Sequence, residues 1–420
     1  MKGWSMNLTK AQRNTILTKI DAIVTEKYYD PAFDQAGWQT IVDQHRASIV
    51  GAGSPEAFEK SVGDMLTQFS PKTLGLLSER TPINSRNAIN ASFSVQQFPG
   101  GLRWVFQDVL PGGVAAKAGV RPGDVLLFAA GNQMAPVTET AAEPPFEMHH
   151  TIPITISRGN PGKEVSLSLS TGTPKYKDNP YSDLTPVTIG SKAHGIGYLK
   201  ISLFQGKVGI DFANELDNLF SGQFVSNERL IIDLRGNPGG GIGGLTLMSY
   251  LTPNRLPIGY SRNRKMAQEQ KDPASLPVFD KVPRSKLAIP SLALKFMGKT
   301  SVFLYTEELG KRSHHGRTLI LVNQHTTGAA EMVAQFAQEN KLAIILGTKT
   351  PGRLVSRSAT KLGLGYRLVV PVAAYISAKG TQIEGKGITP DIDVPWSFTD
   401  AIEGKDNQLA AGVEILGRQN

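Results

Sequence analysis

Two short stretches hold residues whose types and spacing suit acyl-transfer chemistry. Residues 325–336 read HTTGAAEMVAQF and follow the apolar run Leu319-Ile320-Leu321-Val322. The pattern predicts a buried strand, a turn of small residues, and a helix opening at about Ala329. Such turns present backbone N–H groups and one side chain at a sheet edge, where many enzymes keep a nucleophile. The turn residue here is Gly328, which has no side chain to react. The second stretch, LIIDLRGNPGGGIGG over residues 230–244, runs from a buried strand through Asp233 and Arg235 into Asn237-Pro238-Gly239-Gly240-Gly241. Glycines placed after a strand let backbone amides face outward, which suits a phosphate or the oxyanion of acyl transfer. No Gly-Lys-Ser/Thr follows, so this is not a Walker loop, and a dinucleotide fingerprint fits poorly. Tight packing without a ligand is the plain alternative.

Other polar residues near these stretches receive quieter readings. Thr326 and Thr327 offer hydroxyls beside His325, but neighbours along an extended turn point to opposite sides. Asp233 and Arg235 are expected to pair with one another or to cap the glycine loop, and Tyr198 and Phe204 to lie in the core. Glu331 reads as a structural carboxylate favoured by the helix dipole. His149-His150 and His314-His315 lack the H-E-x-x-H spacing of a zinc peptidase, and no metal site is expected.

Three kinds of segment must position these residues. Residues 7 to about 68 predict helices, with Ile16, Ile20, Ile23 and Val24 on one face, and Ser54-Pro55 as an N-cap and first turn. From about 88 to 170 short strands alternate with glycine- and proline-rich turns. Between two of them, PGGVAAKAGVRPGD places a small-residue helix (Val114 to Ala118) before a tight turn at Pro122-Gly123-Asp124. This stretch resembles a PDZ domain, which implies recognition of an extended peptide as an added strand. After the polar linker DNPYSDLTP, strands alternate with helices, as in an α/β layer with parallel pairs. The expected class is multidomain α+β: an N-terminal helical segment (1–86), a PDZ-like β module (87–172), an α/β sandwich core (185–400) and a C-terminal tail or helix (401–420).

The order of motifs extends the resemblance to nearly the whole chain. Gly197-Tyr198-Leu199-Lys200-Ile201-Ser202-Leu203-Phe204, Asp233 to Gly240, Gly328-Ala329-Ala330-Glu331, Gly347-Thr348-Lys349-Thr350-Pro351-Gly352 and Glu384-Gly385-Lys386-Gly387-Ile388-Thr389-Pro390-Asp391 follow one another. The set resembles the S41 serine peptidases, the C-terminal-processing (tail-specific) proteases and their tricorn-like relatives. That resemblance implies a nucleophile at position 328, an orienting carboxylate at Glu384, and an oxyanion hole from Ala329 with Gly239 or Gly240. The general base falls at Thr73, where the tricorn-like branch has histidine. The processing branch's lysine position is Arg353, which stays protonated and is assigned to substrate binding instead. The implied function is hydrolysis of peptide bonds in extended or unfolded chains through an acyl-enzyme, with the PDZ module holding the substrate tail. With glycine at 328 and threonine at 73, the alternatives are a peptide-binding pseudoenzyme, an altered version of an active enzyme, or use of Thr326 or Thr327 with His325.

Composition bounds the remaining classes. A chain of 420 residues with 40% hydrophobic and 19% charged residues is an ordinary globular sequence, too long for one core. It has no apolar run near the ~20 residues of a membrane helix, and its N-terminus has no apolar signal region. It is therefore expected in the cytoplasm, or exported with its signal removed. Zero cysteines exclude disulfides and thiolate chemistry. The net charge of +9 is scattered, which favours a solvated surface over nucleic-acid binding. No cofactor is implied, the partner is a peptide or unfolded protein, and a homo-oligomer is compatible with the sequence.

Overall fold

A computed structural model describes residues 8–70, 73–81, 83–141, 143–146, 151–171, 179–206, 209–297, 299 and 301–418. Two compact units emerge, and they do not follow chain order. Met1–Thr81, Tyr260–Leu276 and Val355–Ile376 make one unit, and Pro82–Gly259, Pro277–Leu354 and Ser377–Asn420 the other.

The first unit is built on three capped helices. Lys10–Lys27 opens with Thr9 and Gln12 in a reciprocal capping box, Gln35–Gly51 with Asp34, and Pro55–Phe69 with Ser54 and Pro55. Their inner faces bury Ile16, Ile20, Val24, Trp38, Val42, Phe58 and Met65. The antiparallel strands Val355–Gly363 and Tyr366–Ser377 close this core with Leu362, Leu368 and Val370. Gly75–Leu77 adds a short antiparallel strand to Tyr366–Ser377.

The second unit begins with an antiparallel sheet. Its order is Ala91–Phe98, Gly101–Val109, Val125–Ala129, Ile152–Arg158, Lys163–Leu169, with Asn132–Gln133 paired to Val125–Ala129. The expected small-residue helix is present as Val114–Lys117. The turn after it is fixed by Arg158, whose guanidinium grips the buried Asp124 carboxylate at 2.6 and 2.8 Å. Among the described residues, 134–146 form neither helix nor strand. His149 and His150 lie outside the described residues.

The same unit carries the sheet that matters for chemistry. Its strands run in the order Ile392–Asp393, Ile344–Gly347, Arg317–Val322, Arg229–Asp233, Ile196–Ile201 and Val187–Lys192. All neighbours are parallel except the last pair. Parallel strands are covered on both faces, and the sequences show it: Leu230-Ile231-Ile232 and Leu319-Ile320-Leu321-Val322 are fully buried. Ile231, Leu319, Leu321 and Leu346 face Leu416 of the helix Asn407–Gly417. Residues 401–420, expected as a tail or helix, thus supply a helix that seals the sheet. The unit also includes the parallel pair Val278–Phe279 and Phe303–Tyr305.

Candidate active site

Two adjacent parallel strands deliver the two stretches singled out above. Asp233 lies opposite Leu321, and the Leu234 amide continues the ladder by donating to the Leu321 carbonyl at 2.9 Å. Beyond that point side chains stitch the loops. Asn323 Oδ1 accepts from the amides of Gly236 (3.1 Å) and His325 (3.0 Å). The Thr326 hydroxyl accepts from the Asn323 amide at 3.0 Å and donates to the Leu234 carbonyl at 2.9 Å. The Thr327 amide donates to the Asn237 carbonyl at 2.9 Å. Thr326 is fully buried and its hydroxyl is engaged, so it is not an alternative nucleophile.

At the turn itself Gly328 adopts φ 63° and ψ −127°. Only glycine enters that region without strain. The helix Ala329–Glu339 starts immediately after it. Gly239 presses against this start: a β-carbon there would sit 3.1 Å from the Ala329 nitrogen and 3.1 Å from the Thr327 oxygen. The two loops therefore meet at the Ala329 amide. Of the two glycines expected as oxyanion donors, Gly239 is already engaged, because its amide donates to Asn237 Oδ1 at 2.7 Å. Gly240 is different. Phe204 bonds Gly239 O and Gly241 N, which turns the amide of the residue between them away from Phe204. The amides of Ala329 and Gly240 have no acceptor among the described residues. A β-carbon on Gly328 would meet only ordinary contacts, 3.4 Å to Gly239 Cα and 3.6 Å to the Pro238 oxygen.

Glu331 locks the third loop onto this turn. Its carboxylate is fully buried and accepts from Thr350 Oγ1 (2.6 Å) and from the amides of Gly352 (2.7 Å), Arg353 (2.8 Å) and Gly328 (3.2 Å). The Gly328 amide also reaches the Arg353 carbonyl at 3.2 Å. Glu384 joins from the next loop by accepting the Leu354 amide. The loops interleave closely, since a β-carbon on Gly387 would overlap the Thr350 carbonyl. Gly328, Ala329, Gly239, Gly240, Arg353 and Glu384 are thus brought together within one unit. Thr73 belongs to the other unit, where its hydroxyl is hydrogen-bonded to that of Ser70.

A cationic group flanks the turn from the side of the β module. Arg86 donates to the His325 carbonyl at 2.8 Å, and burial, offset in part by Asp108, lowers its pKa. His325 is pushed down to about 4 by burial, with Asp108 acting in the opposite direction, and its Nε2 has no partner among the described residues. Asp108 in turn accepts from Asn323 Nδ2 at 2.9 and 3.1 Å. The Arg353 side chain is exposed, and its charge is felt by both Arg86 and His325.

Residues 195–394 match Peptidase family S41. That stretch, a little under half of the chain, is similar to the S41 peptidase domain. Its relatives include carboxyl-terminal-processing peptidase 3, chloroplastic, of Arabidopsis thaliana, 23% identical over 94% of this chain and 71% of that protein. The carboxyl-terminal-processing protease of Synechocystis sp. is 26% identical over 73% of this chain, and the match spans 63% of the relative's length. Among solved structures, a photosystem II D1 C-terminal processing protease superposes with a TM-score of 0.55 at 16% identity, covering 97% of this chain and 98% of that one. A putative S41 protease from Bacteroides fragilis gives 0.54 at 17% identity, covering 96% and 98%. Both share the fold.

The strand that leads to the glycine loop ends in a buried ion cluster. Arg235 contacts both Asp233 oxygens at 3.0 and 2.7 Å, as the sequence suggested, but also both Asp406 oxygens at 2.8 and 2.7 Å. Burial alone would raise the Asp233 pKa. Arg235 and Lys200 overcome it and hold the carboxyl well below the usual range. Phe204 is core, whereas Tyr198 is only partly buried and donates its hydroxyl to Asp233 Oδ2 at 2.8 Å. Asn237, Asn323 and Arg86 are the site residues that sequence reasoning missed. Asn237 stood inside a quoted motif; nothing in the sequence marks the other two.

Proposed function

We propose that this site is that of a serine-type peptidase acting on extended or unfolded polypeptide, with the nucleophile position vacated at Gly328. The observation that carries it is the convergence of the Gly239 loop on the Ala329 amide beside the positive-φ turn at Gly328. In this reading the amides of Ala329 and Gly240 hold the developing oxyanion, a contact that in such enzymes is worth about 3–4 kcal/mol of barrier. Glu384 is the orienting carboxylate, the base position at 73 is held by threonine, and Arg353 meets the substrate at the rim. No cofactor or metal is required. The chain as it stands holds peptide and turns it over only at the residual rate of an oxyanion hole without nucleophile.

Peptide capture falls to the β module, read as PDZ-like. Its strand Ala91–Phe98 is an edge, paired with Gly101–Val109 and with no second strand among the described residues. Edge strands accept an added peptide strand through main-chain bonds. This supports the binding half of the reading even where catalysis is silent.

The test is cleavage of an unfolded protein such as reduced, alkylated casein by the wild-type chain, Gly328→Ser, and Gly328→Ser with Thr73→His. Serine at 328 has room for its β-carbon, at a backbone cost of about 1–3 kcal/mol. Cleavage restored in the double variant, with wild type binding peptide but inert, is the expected result. Absence of both cleavage and measurable peptide affinity in all three would overturn the reading.

A further inference from the structure

A cavity of about 1040 Å³ opens at the amino-terminal ends of the strands Arg229–Asp233 and Arg317–Val322. This is the end of the sheet away from the Gly328 turn, and none of its lining belongs to the site described above. Aromatic rings lie beneath its floor, almost wholly buried. Phe220 and Tyr250 stack at 4.2 Å and 9°, Phe224 packs 5.7 Å from Phe220, and His314 stands edge-on to Phe220 at 6.3 Å. His314 is buried and held by its amide, which donates to the Tyr250 carbonyl at 2.8 Å. Its Nε2 has no hydrogen-bond partner among the described residues. Burial, reinforced by His315, pushes its pKa down to about 4, so the ring is neutral at physiological pH.

The charge around this cavity is lopsided. Arg229, Lys311, Arg312 and Arg317 face the cavity against Asp217 and Glu228. Asp217 is already neutralised, accepting from Arg284 Nε at 2.6 Å and from the Tyr250 hydroxyl at 2.7 Å. Arg229, Lys311 and Arg312 have no carboxylate partner among the described residues. Cations left without partners above buried aromatic rings are the complement of a flat anion, because guanidinium binds carboxylate or phosphate in its own plane. Cavity size and mixed lining are those of a small-molecule site.

We propose that this cavity binds a small organic anion with a flat apolar body, an aryl carboxylate or an aryl phosphate ester. The apolar body lies over the rims of Phe220 and Tyr250, the acid group meets Arg229, Lys311 and Arg312, and His314 sits buried beneath. The experiment is calorimetric titration of the full chain with 2-naphthoate, 2-naphthyl phosphate, 2-naphthol and inorganic phosphate. At least one naphthyl anion is expected to bind saturably at one site per chain, with naphthol and phosphate alone at least tenfold weaker. The stronger of the two anions identifies the acid group the site prefers. Lys311→Ala with Arg312→Ala, both exposed and therefore tolerated by the fold, should weaken that anion at least tenfold. His314→Gln, which keeps a hydrogen-bonding group, should weaken it less than that pair. Binding unchanged in the Lys311/Arg312 variant, equal affinity for neutral naphthol, or no saturable heat with either anion would overturn the assignment.

Discussion

Glu331 shows how much a single buried carboxylate can organise. Four donors from two loops converge on its two oxygens, so the carboxylate is satisfied without a cationic partner. Glu331→Gln keeps the shape but replaces one acceptor oxygen by an NH₂ that faces N–H or O–H donors. Removing the acceptor leaves buried donors unsatisfied, at about 1–3 kcal/mol for each. The expected loss of unfolding free energy is about 2–4 kcal/mol, read by urea denaturation, and a change within 0.5 kcal/mol of wild type (roughly the scatter of surface substitutions) would mean the clamp is not what holds the turn. Gly328→Ser should cost less, because only backbone strain opposes it.

At the scale of elements, the glycine loop and the turn work as one piece because each removes a side chain from the other's path. Gly239→Ala would put a methyl 3.1 Å from the Ala329 nitrogen, at φ 96°, where an L residue is also strained. The loops must then part by a few tenths of an ångström. The expected outcome is a stability loss of about 1–3 kcal/mol and loss of peptidase activity in the Gly328→Ser, Thr73→His background, beyond what stability explains. Full activity there would remove Gly239 from the site's geometry. The motif residues and their elements could be read from the sequence because each is contiguous: strand, glycines, turn and helix follow one another within a dozen residues. What could not be read are the partners brought from afar. Arg235 finds Asp406 and Gln408 from the far end of the chain, and Asn323 finds Asp108 on the β module. The Gly239 amide looked free because the bond to Asn237 depends on a loop conformation that no spacing rule encodes.

For the whole molecule, acid stability is set by groups of opposite habit. His314 and His325 both have folded pKa values near 4, lowered by burial from about 6.5. A lowered histidine favours the neutral form in the fold, so the unfolded chain takes up protons first as pH falls below 6.5. Each such histidine then removes about 1.4 kcal/mol of stability per pH unit until its folded pKa is reached. Asp233 behaves otherwise: its folded pKa is depressed, so its contribution is present above the unfolded value near 4 and is lost only below that. The melting temperature is therefore expected to begin falling between pH 6.5 and 4.5, before any carboxylate of the buried cluster titrates. Replacing His325 with glutamine removes one of the two groups responsible, and should roughly halve the slope of stability against pH in that window while leaving the steeper loss below pH 4 in place. Scanning calorimetry from pH 7.5 to 3.5 on both proteins reads this directly. A flat profile down to pH 4.5 in the wild-type chain would show that neither imidazole is held neutral, and with it that His325 does not sit in the dry pocket between Arg86, Asp108 and the strand at Phe93.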